Sequence, residues 1–256
     1  MSLTIRRHAC TAGRVALMLA ALQPLAAPAD IVLQACDAEV QRANDTLSNI
    51  FRHWPLRPTG DPVDKSLQTL TKQLALQSEE QHHRHWRTHV LRDSNLNAFS
   101  IGDGHIFVTE GMLRFVTSEA ELAALLTHEF AHHVAGHFCL KPRKAGLLRR
   151  MFSGEDKVEQ GIKLGELSAS MDAQKEREAD RIGTVMLKRG GYDPHSAVQL
   201  AARMSTSGSP AHFQYGQRIE ALQRLIADKP GANSNSSDSA AFTHMKDALR
   251  DQPPAP

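Results

Sequence analysis

Apolar residues recur at helical spacing over most of the chain. Residues 30–81 read as helical apart from a break at residues 54–62. After that break, apolar residues fall three and four positions apart, at Val63, Leu67, Leu70 and Leu74. Further helices are predicted at residues 168–189, 194–204 and 216–227. The fold class predicted is therefore α+β and predominantly helical.

The strand signal is confined to residues 86–109. Residues 86–91, 97–101 and 105–109 read as short strands, and the last two are separated by the sequence Gly-Asp-Gly at 102–104. Two glycines around an aspartate favour a tight hairpin. We therefore expect a small β-sheet immediately before the next helix.

The strongest helix signal begins at Ser118. Ser118 and Glu121 form a capping box, and acidic residues in the first turn suit the helix dipole. The pattern continues through apolar residues at Leu122, Leu125, Leu126, Phe130 and Val134. A helix that is apolar over so much of its surface should be buried, so its polar residues need partners inside the protein.

The two ends of the chain differ from this pattern. Three arginines precede an eight-residue apolar run at 15–22, and Ala-Pro-Ala at 27–29 fits a signal-peptidase site. We predict a signal peptide at 1–29, export to the periplasm and a domain at 30–228. Residues 229–256, rich in Ser, Asn, Asp, Ala and Pro, are predicted to form a disordered tail.

Two cysteines lie outside the predicted leader. Residues 33–36 (Leu-Gln-Ala-Cys) resemble a lipobox, so a lipoprotein anchored through Cys36 is an alternative, although Asp30 and Gln34 fit it poorly. In an oxidising compartment Cys36 and Cys139 are candidates for a disulfide, and two unpaired thiols are the alternative.

Composition restricts the partners. The formal net charge is +2 and aromatic residues make up 5% of the chain. Neither value fits a surface that binds nucleic acid. Protein substrates remain, and peripheral association with a membrane and the oligomeric state stay open.

The sequence His-Glu-Phe-Ala-His at 128–132 carries the chemistry. Four residues rotate an α-helix by about 400°, so His128 and His132 share a face and can bind one Zn²⁺. Glu129 points about 100° away and can act as general base on a zinc-bound water. His133 and His137 form a second pair without an intervening Glu, and we expect them to make local hydrogen bonds near the helix end.

A third zinc ligand is expected among the acids of the later long helix. Glu176 and Asp180 stand four residues apart on one face. One of them can bind zinc while the other orients a ligand histidine. The residue pattern alone does not choose between them.

The chain resembles the HtpX and CAAX-prenyl-protease family of zinc metallopeptidases (family M-48), and within it the soluble periplasmic BepA and LoiP type. The resemblance rests on residues 128–132 followed by Glu-x-x-Ala-Asp at 176–180. It extends over residues 60–227 and includes three further stretches: residues 97–99, 106–111 and 118–137. It implies a zincin-like domain with the small sheet beside the His-Glu-x-x-His helix.

The resemblance also assigns roles. It implies one zinc per chain with Glu176 as third ligand, and Asp180 as the acceptor that braces a zinc-bound histidine. His212 and Arg218 match a pair that lies near the zinc in the family, although Phe213 replaces the usual proline. They are candidate oxyanion or regulatory residues, the alternative being a surface histidine and a helix-capping arginine.

The function implied is endopeptidase action on misfolded or unassembled cell-envelope proteins. Asn97, Ala98 and Phe99 are candidates for a strand along which an extended substrate binds. Two alternatives stay open. One is a zinc-containing periplasmic chaperone or binding module with suppressed proteolysis, and the other is a hydrolase of small peptides or non-peptides.

Overall fold

Eight helices and three strands are formed by the residues that the computed structural model describes, which are 35–78, 82–139, 173–207, 215–227 and 237–253. The helices α1–α8 are, in chain order, Asp37–His53, Pro62–Ala75, Glu110–Phe115, Glu119–Val134, Ala173–Arg189, His195–Ser205, Tyr215–Ala227 and Ala240–Arg250. The strands β1–β3 are Arg87–Leu91, Ala98–Gly102 and His105–Thr109. The predicted α+β, predominantly helical class is confirmed. None of the described helices combines the length and apolar character needed to cross a bilayer.

The sheet has the order β1-β3-β2, so β3 is the central strand. It pairs in parallel with β1 and antiparallel with β2. The predicted hairpin joins β2 to β3, and all three turn residues have positive φ: Gly102, Asp103 and Gly104. Glycine is needed at 104, where a Cβ would lie 2.9 Å from the carbonyl oxygen of His85.

The two faces of the sheet bury different sets of apolar residues. On one face, strand residues such as Val90 and Ile106 join the large core formed with α2 and α4. On the other, Phe99 and Phe107 pack with Ile50 of α1. The alternation of side chains along each strand therefore places the sheet between α1 and the other helices.

Helix α4 begins where the capping box was predicted. Ser118 Oγ accepts the N–H of Glu121 at 3.2 Å. The Glu121 carboxylate accepts the N–H of Thr117 at 2.7 Å, one residue earlier than in the usual box. Most of α4 is buried, as its apolar pattern predicts, so its histidines and Glu129 lie inside the protein.

The C-terminal segment differs from the predicted disordered tail. Residues 240–250 form α8, which Ser239 caps by accepting the N–H of Phe242 at 3.1 Å. Phe242, Met245 and Leu249 are buried in the large core. The Ser-, Asn- and Pro-rich residues around this helix hid its apolar spacing of three and four. The prediction of disorder for residues 237–253 was wrong.

Candidate metal centre

Helix α4 brings two imidazole rings together, with their planes nearly perpendicular at 84°. The Nε2 atoms of His128 and His132 are 3.2 Å apart, and both side chains are buried. In neutral rings, two lone pairs directed at each other repel unless a proton or a cation lies between them. The i, i+4 spacing therefore creates a local demand for positive charge.

Helix α5 supplies a carboxylate to the same point. Glu176 Oε2 lies 3.3 Å from His128 Nε2, and Glu176 Oε1 lies 3.6 Å from His132 Nε2. The close approach of α5 to α4 depends on Gly183, where a Cβ would lie 3.0 Å from the carbonyl oxygen of Thr127. The spacing Glu176 to Gly183 is two turns, so the glycine and the carboxylate share the face that packs on α4.

These three side chains fit a zinc ion. Their ligand atoms all lie within 4.8 Å of one another. Ligands bound tetrahedrally to Zn²⁺ at about 2.0–2.1 Å are about 3.3–3.4 Å apart, close to the separations found here. Two imidazoles and one carboxylate also leave one coordination position open, as hydrolytic zinc sites require.

Asp180 and Arg218 stand behind His128. Asp180 Oδ1 is 3.0 Å from His128 Nδ1, and Arg218 Nε and Nη2 donate to the Asp180 carboxylate at 2.8 and 2.6 Å. Burial opposes ionisation of Asp180, but Arg218 and His128 outweigh it and lower its pKa to about 2. The Asp180 carboxylate therefore stays charged and fixes the ring of His128, with Nε2 directed at the centre.

The charge around His128 is predominantly negative. Burial and Arg218 act to lower the pKa of His128, yet the carboxylates of Asp180 and Glu176 outweigh them and raise this pKa to about 9. The site thus favours a positive charge at this position.

Glu129 lies beside the centre, and one of its carboxylate oxygens accepts a hydrogen bond. Ser100 Oγ donates to Glu129 Oε2 at 2.6 Å, whereas Oε1 has no hydrogen-bond partner among the described residues. Burial raises the pKa of Glu129, which also interacts electrostatically with His128 and Glu176. A buried carboxylate with one unpartnered oxygen is suited to accept a proton in the site. Ser100 was not identified from the sequence, because an isolated serine in a strand carries no signal.

The second histidine pair has two different environments. His137 contacts a candidate metal ligand, since its Nδ1 lies 2.9 Å from Nδ1 of His132. His133 lies on the side facing α1, where the N–H of Gly104 donates to its Nδ1 at 3.3 Å. Burial lowers the pKa of His133 to about 4, so its ring is neutral at neutral pH. The expectation of local hydrogen bonds therefore describes His133 but misses the contact of His137 with His132.

The candidate substrate strand is only partly exposed to a substrate. The side chains of Asn97, Ala98 and Phe99 are buried, and Phe99 stacks on Phe107 with centroids 5.2 Å apart. Strand β2 begins at Ala98 and forms one edge of the sheet in the described part of the chain. A substrate that binds along β2 would therefore pair with its backbone and would not contact these side chains.

The remaining predicted site residues are two cysteines, an arginine and a histidine. Cys36 and Cys139 are joined in a disulfide with Cα atoms 5.8 Å apart, which connects the start of α1 to the chain just after α4. Arg218 lies at the centre, and its contacts with Asp180 give it a bracing position. His212 lies outside the described residues, as does the predicted leader.

Comparison with known proteins gives partial but consistent matches. The chain is 33% identical over 132 residues to the mitochondrial metalloendopeptidase OMA1 of Schizosaccharomyces pombe, covering 48% of this chain and 38% of that protein. It is 29% identical over 133 residues to the putative beta-barrel assembly-enhancing protease of Vibrio cholerae, covering 45% of this chain and 28% of that protein. The match to human OMA1 is 28% over 176 residues, or 55% of this chain and 32% of that protein.

The aligned regions thus span about a third of the length of these relatives. All three relatives are named as proteases or metalloendopeptidases, in agreement with the predicted enzyme class. The sequence profile described as Peptidase family M48 matches residues 62–154, which include the sheet, α4 and both α4 histidines of the centre. The predicted family is thereby confirmed for residues 62–154.

Proposed function

We propose that the protein is a zinc-dependent endopeptidase. The observation that carries the proposal is the convergence of His128, His132 and Glu176 within 4.8 Å, beside a buried Glu129 that has one unpartnered oxygen. Each of the three ligand side chains offers one atom to a common point, which is what a hydrolytic zinc site needs. The names of the relatives support the same activity.

The chemistry divides between the metal and the side chains. A bound Zn²⁺ would lower the pKa of a coordinated water and polarise the scissile carbonyl. Glu129 takes the proton of the attacking water and delivers it to the leaving amide nitrogen. Ser100 holds the other oxygen of Glu129, which fixes the carboxylate for both transfers. Asp180, itself paired with Arg218, keeps His128 oriented.

The proposed substrates are unfolded or unassembled proteins of the cell envelope. An extended peptide pairing with the edge strand β2 would be held through main-chain hydrogen bonds, with little dependence on its sequence. The name of the Vibrio cholerae relative, an assembly-enhancing protease, supports an envelope substrate. The leader-like residues 1–29 support action in the periplasm.

Cleavage of casein by the purified protein tests the activity. We expect a strong chelator to abolish cleavage and added Zn²⁺ to restore it. Glu129→Gln should retain zinc but lower kcat/KM by about 100- to 10,000-fold, because an amide does not accept the proton of water. Near-normal turnover by this variant would remove Glu129 from the mechanism. Zinc-dependent suppression of aggregation without cleavage would instead establish the chaperone alternative.

A further inference from the structure

A third histidine, His137, links the metal centre to the protein surface. His137 is buried, and its Nδ1 lies 2.9 Å from Nδ1 of His132. On the other side of its ring, His137 Nε2 lies 3.3 Å from Glu178 Oε2. The Glu178 side chain is 45% exposed. The three residues therefore form a continuous chain of contacts from a candidate ligand to solvent.

The proton positions in this chain follow from the role of His132. Its Nε2 faces Glu176 and His128, so a zinc ion takes the lone pair of that nitrogen. The proton of the neutral ring must then be on Nδ1, which donates to His137 Nδ1. His137 accepts with its own lone pair and must carry its proton on Nε2. That N–H points at the Glu178 carboxylate, which accepts it.

We propose that His137 is a positioning residue that, together with Glu178, holds His132 in the tautomer and orientation that bind zinc. The inference rests on the proposed zinc site and assigns to His132 what Asp180 does for His128. The two supports differ in kind, since Asp180 is a buried carboxylate in direct contact and Glu178 acts through an intervening ring.

The position of His137 is itself fixed from two sides. Lys175 Nζ donates to the carbonyl oxygen of His137 at 3.0 Å, which ties it to α5. Two residues further along, Cys139 is joined to Cys36. Because its backbone is already anchored, the His137 ring can orient its neighbour with a smaller further loss of conformational entropy.

Zinc affinity of the metal-free protein, measured by competition with a chromophoric chelator, tests the relay. His137→Ala should weaken binding by about 10- to 100-fold, the usual cost of losing a partner of a metal ligand. His137→Asn should recover most of the loss, because its side-chain oxygen can take the place of Nδ1 as acceptor. Glu178→Ala should weaken binding less, since water can replace an exposed carboxylate, and Glu178→Gln should bind as the parent does. Glu220→Ala, at an exposed position of α7, is the control for loss of a surface carboxylate.

Two results would overturn the proposal. One is parental affinity in His137→Ala, and the other is equal weakening in His137→Ala and His137→Asn. If His137→Ala does not fold, Glu178→Ala decides, and unchanged affinity in that variant counts against the relay. A parent protein that binds zinc but cleaves nothing would refute the proposed function and leave the relay intact. Chelator-sensitive cleavage with normal zinc affinity in the His137 variants would refute the relay alone.

Discussion

Helix α4 borders two buried clusters made of the same residue types. On its α1 side, His133 meets Glu39 and Arg84, a group that we term the α1-side cluster. There Glu39 forms a fully buried ion pair with Arg84, accepts the N–H of Asp103 at 2.9 Å and lies 3.7 Å from His133 Nδ1. The carboxylate has its countercharge in place, and burial keeps the histidine neutral.

In the metal centre, by contrast, carboxylates outnumber guanidinium groups. Three carboxylates, those of Glu129, Glu176 and Asp180, surround His128 and His132, and Arg218 is the one guanidinium that the contacts described above bring to them. Burial opposes charge in both clusters, so an excess of carboxylates favours added positive charge, either a proton on His128 or a bound metal ion. A buried cluster of His and Glu is therefore a better candidate for a metal site when its acids outnumber its bases. The disulfide reinforces this contrast, since Cys36 and Cys139 near Glu39 carry no free thiolate.

The largest effect is expected when the metal centre loses its shared carboxylate. Glu176→Ala should weaken zinc binding by more than about 100-fold, beyond the loss caused by removing an outer partner of a ligand. The metal-free variant should be no less stable than the metal-free parent, because a buried carboxylate has been removed from an acidic cluster. Chelator competition and urea unfolding measure the two quantities. If Glu176→Ala bound zinc with parental affinity, the third ligand would lie elsewhere, and the proposed difference between the two clusters would be contradicted.

The same kind of change in the α1-side cluster should have the opposite outcome. Glu39→Gln removes the carboxylate charge that faces the buried guanidinium of Arg84, and should lower the free energy of unfolding by about 3–5 kcal/mol. Zinc affinity of the folded protein should not change, since the contacts described for Glu39 are with Arg84, Asp103 and His133 and not with a candidate ligand. Asp45→Asn, at an exposed position of the same helix, is the control for urea unfolding. A loss of zinc with unchanged stability would contradict the assignment of this cluster.

His89, on strand β1, is buried in a third environment, in contact with other rings. His89 stacks on Phe107 with centroids 4.7 Å apart, and its Nε2 lies 3.1 Å from His105 Nδ1. Burial, with smaller contributions from His105 and Arg87, lowers its pKa from 6.5 to about 3. Its ring therefore stays neutral in the folded protein at pH values where the unfolded chain takes up a proton.

The stability of the protein should consequently depend on pH. Between pH 6.5 and 3 the unfolded chain binds the proton of His89 and the folded protein does not. The free energy of unfolding then rises with pH by up to about 1.4 kcal/mol per unit, so stability is retained above pH 6.5 and lost as the pH falls below it. His89→Gln should reduce the loss between pH 6.5 and 5 by about 2 kcal/mol in urea titrations. Equal slopes for this variant and the exposed-site control His244→Gln would contradict the assigned environment.

Much of this arrangement could be predicted from the sequence because its signals are local. The i, i+4 spacing of His128 and His132 and the Gly-Asp-Gly turn are properties of one element, and helix or hairpin geometry translates them directly into space. The choice of Glu176 over Asp180 was different, since it came from a family resemblance and not from the spacing. In the structure the two acids lie on opposite sides of the His128 ring, one at Nε2 and the other at Nδ1.

The rest depended on how separate elements pack. Gly183 reads as an ordinary helix glycine until α5 is placed against α4, where its missing side chain permits the close approach. The relay from His132 to Glu178 consists of two contacts, and the second joins His137 to a residue 41 positions later, which no periodicity encodes. Helix α8 was missed because it is short, so few apolar residues mark its helical spacing, and because its neighbours are residues typical of disordered segments.

Ser100 gives the smallest and sharpest test of the contrast between the clusters. Nothing in the sequence indicated its role. Ser100 lies on strand β2, and its hydroxyl donates to Glu129 Oε2 at a distance of 2.6 Å. Ser100→Ala removes this bond and lets the carboxylate rotate. A hydrogen bond to a charged group contributes at least about 1.5 kcal/mol, so we expect a loss of about tenfold or more in kcat. Zinc affinity and KM should stay at parental values, because Ser100 contacts none of the three ligand side chains in the bonds described. Steady-state kinetics on an unfolded substrate separate these quantities. A change in KM alone would mean that Ser100 serves the substrate edge of β2 and not the carboxylate of Glu129.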